Sequence, residues 1–402
     1  MKVIDLFAGA GGLSEGFKRQ GFNIVSHVEM DKSACLTLKT REAYFYLKEQ
    51  GKIDIYKKYI TGEISRDELY GYIPDDVLKR VINESISDET IEDIFKLIGN
   101  EEIDIIIGGP PCQAYSLVGR SRDPDRMKND PRNYLYRQYI KFIKKYKPKL
   151  FVFENVIGIL SAQEGKIFES IKDEMKEVGY NLDYRILDAS DFGVLQSRRR
   201  VILIGWKTDI DFSYPDFENV ELKWNINDLF HDLPSIQSGD SMEVGKHLDM
   251  KNEILDEMKI RSSEWDILTQ HTARKNNDRD LKIYKYCVEI WNEERRRVRY
   301  DELPEELRTH NNLESFLDRF KVVDGLGVCH TMVAHISKDG HHYIHPDITQ
   351  NRSLTVREAA RIQSFPDDYY FETCRTDAFR QIGNAVPPLM AEMIARELKR
   401  IG

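Results

Sequence analysis

Five short apolar runs govern what this chain can become: "KVIDLF" at the start, "FNIVSHVE", "IDIII" at 103–107, "KLFVFENV" and "RRRVILIGW". Between them lie stretches of helical periodicity such as "LSEGFKRQ", "YLYRQYIKFIKKY" and "KIFESIKDEMKEVG". Strands that are apolar at successive positions have no face to show to water, so their sheet must be covered on both sides. Strands alternating with helices supply that cover. The pattern predicts an α/β fold, a doubly wound, Rossmann-like, mainly parallel sheet. At 402 residues there is room for two or three domains of roughly 150 residues each.

The rhythm breaks twice. Residues 40–102 read as a polar helical insertion, and from 206 to 351 the alternation lapses. The second interval contains "KIYKYCVEIWNEERRRVRY", predicted as a helix. It also contains "TMVAHISKDGHHYIHPD", predicted as a hairpin turning at Asp339-Gly340. Helical periodicity returns at "RSLTVREAARIQSF". The chain therefore divides into a first domain over 1–205, a second, smaller domain over 206–351, and a C-terminal part over 352–402.

No apolar run approaches the ~20 residues that span a bilayer, so no membrane partner is expected. The opening "MKVIDLFAGAGG" enters a strand pattern with no basic leader. The five cysteines are scattered without a CxxC, which suits free thiols in a reducing cytoplasm. A net charge of −9 speaks mildly against a nucleic-acid partner, yet residues 119–149 are strongly basic, as are "TARKNNDR" at 272–279 and "ERRRVR" at 294–299. Net charge leaves that question open.

"VIDLFAGAGGLSEGF" is a strand, a glycine loop and a helix. Gly9, Gly11 and Gly12 allow a tight turn and close approach of a ligand to the helix N-terminus. Glu29 closes the next apolar run, where dinucleotide folds keep an acid for ribose hydroxyls. The third glycine of a nicotinamide fingerprint would fall at Ser14, so a cofactor without pyrophosphate fits better. S-adenosyl-L-methionine is such a cofactor, leaving S-adenosyl-L-homocysteine as product.

In "GGPPCQAYS", Cys112 stands past the end of a strand, on the edge where open α/β sheets bind ligands. A free cysteine is ordinarily a small buried hydrophobe. This one sits in a proline-stiffened loop beside polar Gln113 and Ser116, with Arg120 and Arg122 close behind to favour the thiolate. A thiolate beside a methyl donor suits one chemistry well. Carbon 5 of a pyrimidine becomes nucleophilic once a thiol has added to carbon 6. That route needs an acid at ring N3 and cations at O2; Glu154 in "FVFENV" and the arginines of "QSRRRVILIG" stand at strand ends to provide them.

Taken together, "DLFAGAGGLSEGF", "VEMD", "GGPPCQAYS", "ENV", "QSRRR", "RSLTVREAARIQSFPDDY" and "QIGNAVPP" resemble, in order, the blocks of the DNA (cytosine-5) methyltransferases, of the bacterial restriction-modification type. The resemblance covers roughly 1–40, 103–205 and 352–402. It implies an S-adenosylmethionine-dependent methyltransferase domain with a separate target-recognition domain over 206–351. Cys112 would be the nucleophile and Glu154 the partner of N3 and the exocyclic amine, with Arg198 and Arg200 holding the O2 side of the base and the active-site loop. Phe7, Gly9, Gly11, Glu29, Met30, Pro111 and Asn384 would line the cofactor pocket. Double-stranded DNA would be the partner, met by Gln113, Ser116, Arg120 and Arg122 and, in the recognition domain, by Arg274 and Lys275; Arg126, Lys128, Asn276 and Asn277 are further candidates. A monomer is implied, with a cognate endonuclease acting on the same site. Val356 replaces the family's usual proline. The residue that contacts the adenine amine stays open between Ser85 and Asp88. The histidines near Cys329 match no zinc spacing, so no metal is expected. A tRNA methyltransferase would use related blocks, and the large variable segment favours duplex DNA. An inactive DNA-binding regulator would be expected to have lost these residues.

Overall fold

A computed structural model describes residues 1–110, 135–249, 253–315 and 317–401. Seven strands form the main sheet: β1 (Lys2–Leu6), β2 (Asn23–Glu29), β3 (Val81–Asn83), β4 (Ile105–Gly108), β5 (Leu150–Asn155), β6 (Tyr180–Asp188) and β7 (Arg199–Lys207). Their order is β3-β2-β1-β4-β5-β7-β6. The first five are parallel, and β7 enters antiparallel between β5 and β6. The doubly wound, Rossmann-like class expected from the apolar runs is the class found.

Period-two alternation divides the central strands between two cores. Ile4, Leu6, Ile106, Phe151 and Phe153 point to one face. There they meet α6 (Ile91–Ile98), α7 (Leu135–Tyr146) and α8 (Lys166–Glu177). Val3, Ile105, Ile107, Leu150 and Val152 point to the other. That face is covered by α1 (Gly12–Arg19) and by α14 (Pro388–Leu398), the last long helix of the chain. The C-terminal segment therefore completes the layer that the N-terminal segment begins. Two glycines permit the contact. A Cβ on Gly12 would lie 2.1 Å from the Val386 carbonyl oxygen, and one on Gly16 2.4 Å from the Glu392 nitrogen.

The interval 40–102 is less of an insertion than its composition implies. Helix α2 (Lys32–Glu49) begins in the sheet layer and runs on into α3 (Ile53–Ile60), α4 (Arg66–Gly71) and α5 (Asp75–Lys79). Residues 81–98 then form β3 and α6, which belong to the sheet. The chain has only three residues of strand there, too few for a periodic signal. The α2–α5 helices enclose a tyrosine-rich cluster with Tyr44, Tyr56, Leu69 and Trp265.

Between 206 and 351 come α9 (Ile226–Phe230), a two-stranded sheet of β8 (Ser241–Lys246) and β9 (Ile267–Thr272), α10 (Glu253–Glu257) and α11 (Asp278–Glu294). Helix α11 starts where the Asn277 side chain accepts from the Asp280 N–H, and stops at Arg295, whose φ is +55°. The hairpin expected around Asp339-Gly340 is absent. Gly340 does turn the chain at φ +73°, but Ala334–Ser337 is a short 3₁₀ turn, and Ile344 bridges singly to Val322 and Ser353. The flanks pack on neighbouring elements instead of on each other. One apolar core, including Leu229, Val323 and Met332, is shared with α12 (Val356–Ile362) and α13 (Arg375–Asn384).

Helix α12 carries charges that are entirely interior. Thr355 caps its N-terminus by accepting from the Glu358 N–H. Arg361 is fully buried between Asp232 (2.6 Å) and Asp367 (2.6 Å), and Arg352 pairs with Glu358 at 2.7 Å.

Candidate active site

The C-terminal ends of β1, β2, β4 and β5 and the start of β7 converge on one edge. After β1 the chain turns through Phe7 and Gly9, both at φ +55°, into α1. Among the described residues, a Cβ on Gly9 would meet nothing within 4 Å. Glu29 ends β2 with its carboxylate turned back on that loop. One oxygen accepts the Gly9 N–H at 2.8 Å, the other the Asp31 N–H at 2.7 Å. Burial raises the Glu29 pKa, against the pull of those two N–H groups. Met30 beside it is 67% exposed, an apolar surface at the mouth of the loop. Asn83, at the end of β3, donates to the Glu29 and Met30 carbonyls at 3.1 Å each.

Of the two residues left open after β3, Asp88 is turned away. It pairs with Lys141 and accepts from Gln138 on α7, and these contacts lower its pKa. Ser85 stays near the strand end, its N–H on the Glu84 carboxylate at 2.9 Å.

On the neighbouring strands, Glu154 and Arg200 form an ion pair of 2.9 Å, with side chains 13% and 12% exposed. β5 and β7 run antiparallel, which sets the end of one beside the start of the other. Gly109 fits under this pair: a Cβ there would lie 2.8 Å from Glu154 Oε2. Asn155, which sequence reasoning did not single out, is buried and donates from Nδ2 to the Pro110 carbonyl at 3.2 Å. Its signal was alternation: next to an edge-facing Glu154, it had to point the opposite way. It holds the entry to the loop that carries Cys112. Cys112 itself, with Pro111, Gln113, Ser116, Arg120, Arg122, Arg126 and Lys128, lies outside the described residues.

Arg198 is fixed inside the protein. It is 1% exposed and donates to the Met332 carbonyl at 2.5 Å and the Gly383 carbonyl at 3.3 Å. The guanidinium is a brace between the sheet, the 329–333 segment and α13, because its position before β7 aims it into that seam. Asn384 follows at the end of α13 and is exposed. Gly383 lets the 333–334 backbone approach: a Cβ would stand 2.4 Å from the Ala334 nitrogen.

Arg274 packs against the 336–338 segment. It donates to the Ser337 carbonyl at 3.0 Å and also to those of Ile336 and Lys338, so its donors are engaged within the protein. Asn276 is buried against Ser238 and Tyr284, and Asn277 caps α11. Lys275 is exposed. The histidines also take internal roles. His330 bonds to the His342 carbonyl at 2.6 Å and stacks on Tyr343, and burial, reinforced by Arg297, pushes its pKa down to about 3.

A model of the C-5 cytosine-specific DNA methylase family matches residues 1–74 and 76–400. The chain belongs to this family. It is 43% identical to the type II methyltransferase M.Bpa9945I of Bacillus paralicheniformis, over the whole of this chain and 99% of that protein. Identity to the type II methyltransferase M.DdeI of Desulfomicrobium norvegicum is 32%, over 99% of this chain and 88% of the other. The crystal structure of a prophage-encoded DNA modification methyltransferase from E. coli superposes with a TM-score of 0.65 at 26% identity, covering 100% and 99% of the two chains. The Entamoeba histolytica methyltransferase EhMeth shares the fold, with a TM-score of 0.54 at 14% identity. As a C-5 cytosine-specific DNA methylase, the protein is an enzyme that methylates cytosine in DNA. Among its described residues, no helix is long and apolar enough to cross a membrane.

Proposed function

We propose that this methylase transfers a methyl group from S-adenosyl-L-methionine to carbon 5 of a cytosine flipped out of duplex DNA, through a covalent bond between Cys112 and carbon 6. The observation that carries the reading is the Glu154–Arg200 pair, set on the same sheet edge as the glycine loop and Glu29.

The loop fits an adenosyl cofactor. Gly9 leaves open space among the described residues, Glu29 presents a carboxylate to ribose hydroxyls, and Met30 offers an apolar face to adenine, with Phe7, Gly11, Pro111 and Asn384 around the pocket. When bound, S-adenosylmethionine supplies an electrophilic methyl group. The remaining steps belong to the chain. Extruding the base costs a few kcal/mol of stacking and pairing, which pocket and phosphate contacts must offset. The Cys112 thiolate adds to carbon 6, forming the C–S bond and moving electron density toward N3 and carbon 5. Glu154 holds N3 and the exocyclic amine, and Arg200 fixes the Glu154 carboxylate and the O2 side of the ring. After methylation a base removes the carbon-5 proton, the C–S bond breaks and the thiolate is regenerated.

We assign target reading to 206–351, with Lys275 free to reach DNA, and phosphate contacts to Arg120 and Arg122, with Gln113 and Ser116 beside the flipped base. We also assign it a role beside an endonuclease of the same specificity, as a cytoplasmic monomer; the relatives it matches are named type II methyltransferases. Expression in a methylation-free host followed by genome-wide mapping of 5-methylcytosine tests this: one enriched motif is expected. Cys112→Ala should lower the rate by several orders of magnitude and leave cofactor binding intact. Near-normal methylation by that variant would sink the covalent route.

A further inference from the structure

The loop that carries Gly9 is pinned from outside by a residue far along the chain. Tyr369 is fully buried, and its hydroxyl donates to the Ala10 carbonyl in the middle of the loop. A Cβ on Gly11 would stand 3.3 Å from the same hydroxyl, so loop and phenol are in direct contact. Tyr369 is held in turn. The Arg41 guanidinium lies 4.7 Å from its ring centroid. Arg41 forks onto Glu15 of α1 at 2.9 and 2.7 Å and onto Asp368 at 2.8 Å.

The α2–α4 helices close around this segment. Tyr44 donates to the Asp368 carboxylate and Tyr56 to the Asp368 carbonyl at 2.8 Å. Glu372 accepts from Thr40, from Tyr59 at 2.6 Å and from Arg66 at 3.2 Å. The Glu372 N–H donates to Thr37 at 2.9 Å. Segment 368–372 is therefore gripped along its length, with Tyr369 as the one side chain that reaches through to the loop.

We propose that Tyr369 is a positioning residue for the cofactor loop, and that the 40–71 helices act as its buttress. This rests on the reading that the loop binds an adenosyl cofactor. A loop bent through three positive-φ positions, Phe7, Gly9 and Gly11, has other conformations available. Only the fraction in the binding geometry contributes to affinity, so a pin that raises that fraction lowers the apparent dissociation constant. Without the hydroxyl, the buried Ala10 carbonyl loses its side-chain donor.

The test is Tyr369→Phe, which keeps the ring and removes the donor, measured by titration of the full-length protein with S-adenosylhomocysteine. The dissociation constant should rise about two- to tenfold, the net weight of one buried hydrogen bond. KM for S-adenosylmethionine should rise in step, while kcat at saturation and DNA affinity hold. Amide hydrogen exchange in the 7–16 region should quicken. Asp368→Asn, which weakens the grip one residue away, should move cofactor affinity in the same direction. An unchanged dissociation constant in folded Tyr369→Phe overturns the inference. So does a loss of DNA affinity in proportion to that of cofactor, which would mark general loosening. Failure of the wild-type protein to bind S-adenosylhomocysteine would instead overturn the cofactor reading itself.

Discussion

Gly109→Ala places one methyl group beneath the Glu154 carboxylate, the group proposed to hold the cytosine. The glycine has no positive φ, so alanine meets no backbone strain there, and its other close neighbours, the Glu154 carbonyl oxygen and Cβ, lie 3.4 and 3.8 Å away. Among the described residues the single clash is 2.8 Å to Glu154 Oε2, the end of a flexible side chain. Restoring ordinary contact requires the carboxylate to retreat by about half an ångström or more. Stability should barely change, by less than ~1 kcal/mol, because no main chain need move. Catalysis should suffer far more. The Glu154–Arg200 pair at 2.9 Å must stretch or rotate, and a displacement approaching 1 Å at a reacting group costs on the order of 100-fold in rate. Single-turnover methylation of a duplex carrying the mapped motif, with excess enzyme and cofactor, reads the chemical step directly. Thermal melting and cofactor titration on the same preparation separate it from unfolding. A single-turnover rate within about threefold of wild type, in a folded variant, would show that the Glu154 position is not critical to the rate.

Arg361→Met should destabilise the protein by about 3–5 kcal/mol in urea unfolding, since it leaves Asp232 and Asp367 buried without their main cation; a loss under ~1 kcal/mol would mean those carboxylates find other partners. His27 is buried between Asp5 (3.4 Å) and Glu42 (3.2 Å); burial alone would lower its pKa, but the two carboxylates outweigh it and raise the value above 6.5. A raised folded pKa gives stability that is full below pH 6.5 and fades as pH climbs through the folded value. The difference in unfolding free energy between wild type and His27→Gln should therefore be larger at pH 6 than at pH 9, and an equal difference at both would show that His27 is not charged in the folded state.

Much of the site was legible because its residues stand at the ends of apolar runs. Glu29 and Glu154 stand at the C-terminal ends of the buried strands β2 and β5, so the strand pattern alone delivers both to one edge. The elements that escaped notice lack that contrast. β3 has three residues, and β6 lies at the edge of the sheet with half-exposed side chains, so neither concentrates apolar residues. The antiparallel entry of β7 left no trace in its composition, yet it is what sets Arg200 beside Glu154.

Local order along the chain determined the class of fold, the glycine turn and the identity of the acid and arginine that stand at neighbouring strand ends. Those follow from periodicity and from where polar groups interrupt it, which are properties of neighbouring residues. Long-range pairing decided the rest. Arg198 and Arg200 differ by two positions, and only the seam with Met332 and Gly383 makes one a buried brace while the other pairs with Glu154. Arg274 meets the carbonyls of Ile336 and Ser337 across 62 and 63 residues of sequence. Arg357 and Arg361 look like a solvated helix face and are fully buried, because carboxylates and carbonyls distant in sequence compensate their desolvation. A charge is tolerable inside a protein only if its partners arrive there too, and partners separated by a hundred residues meet only when the chain has folded.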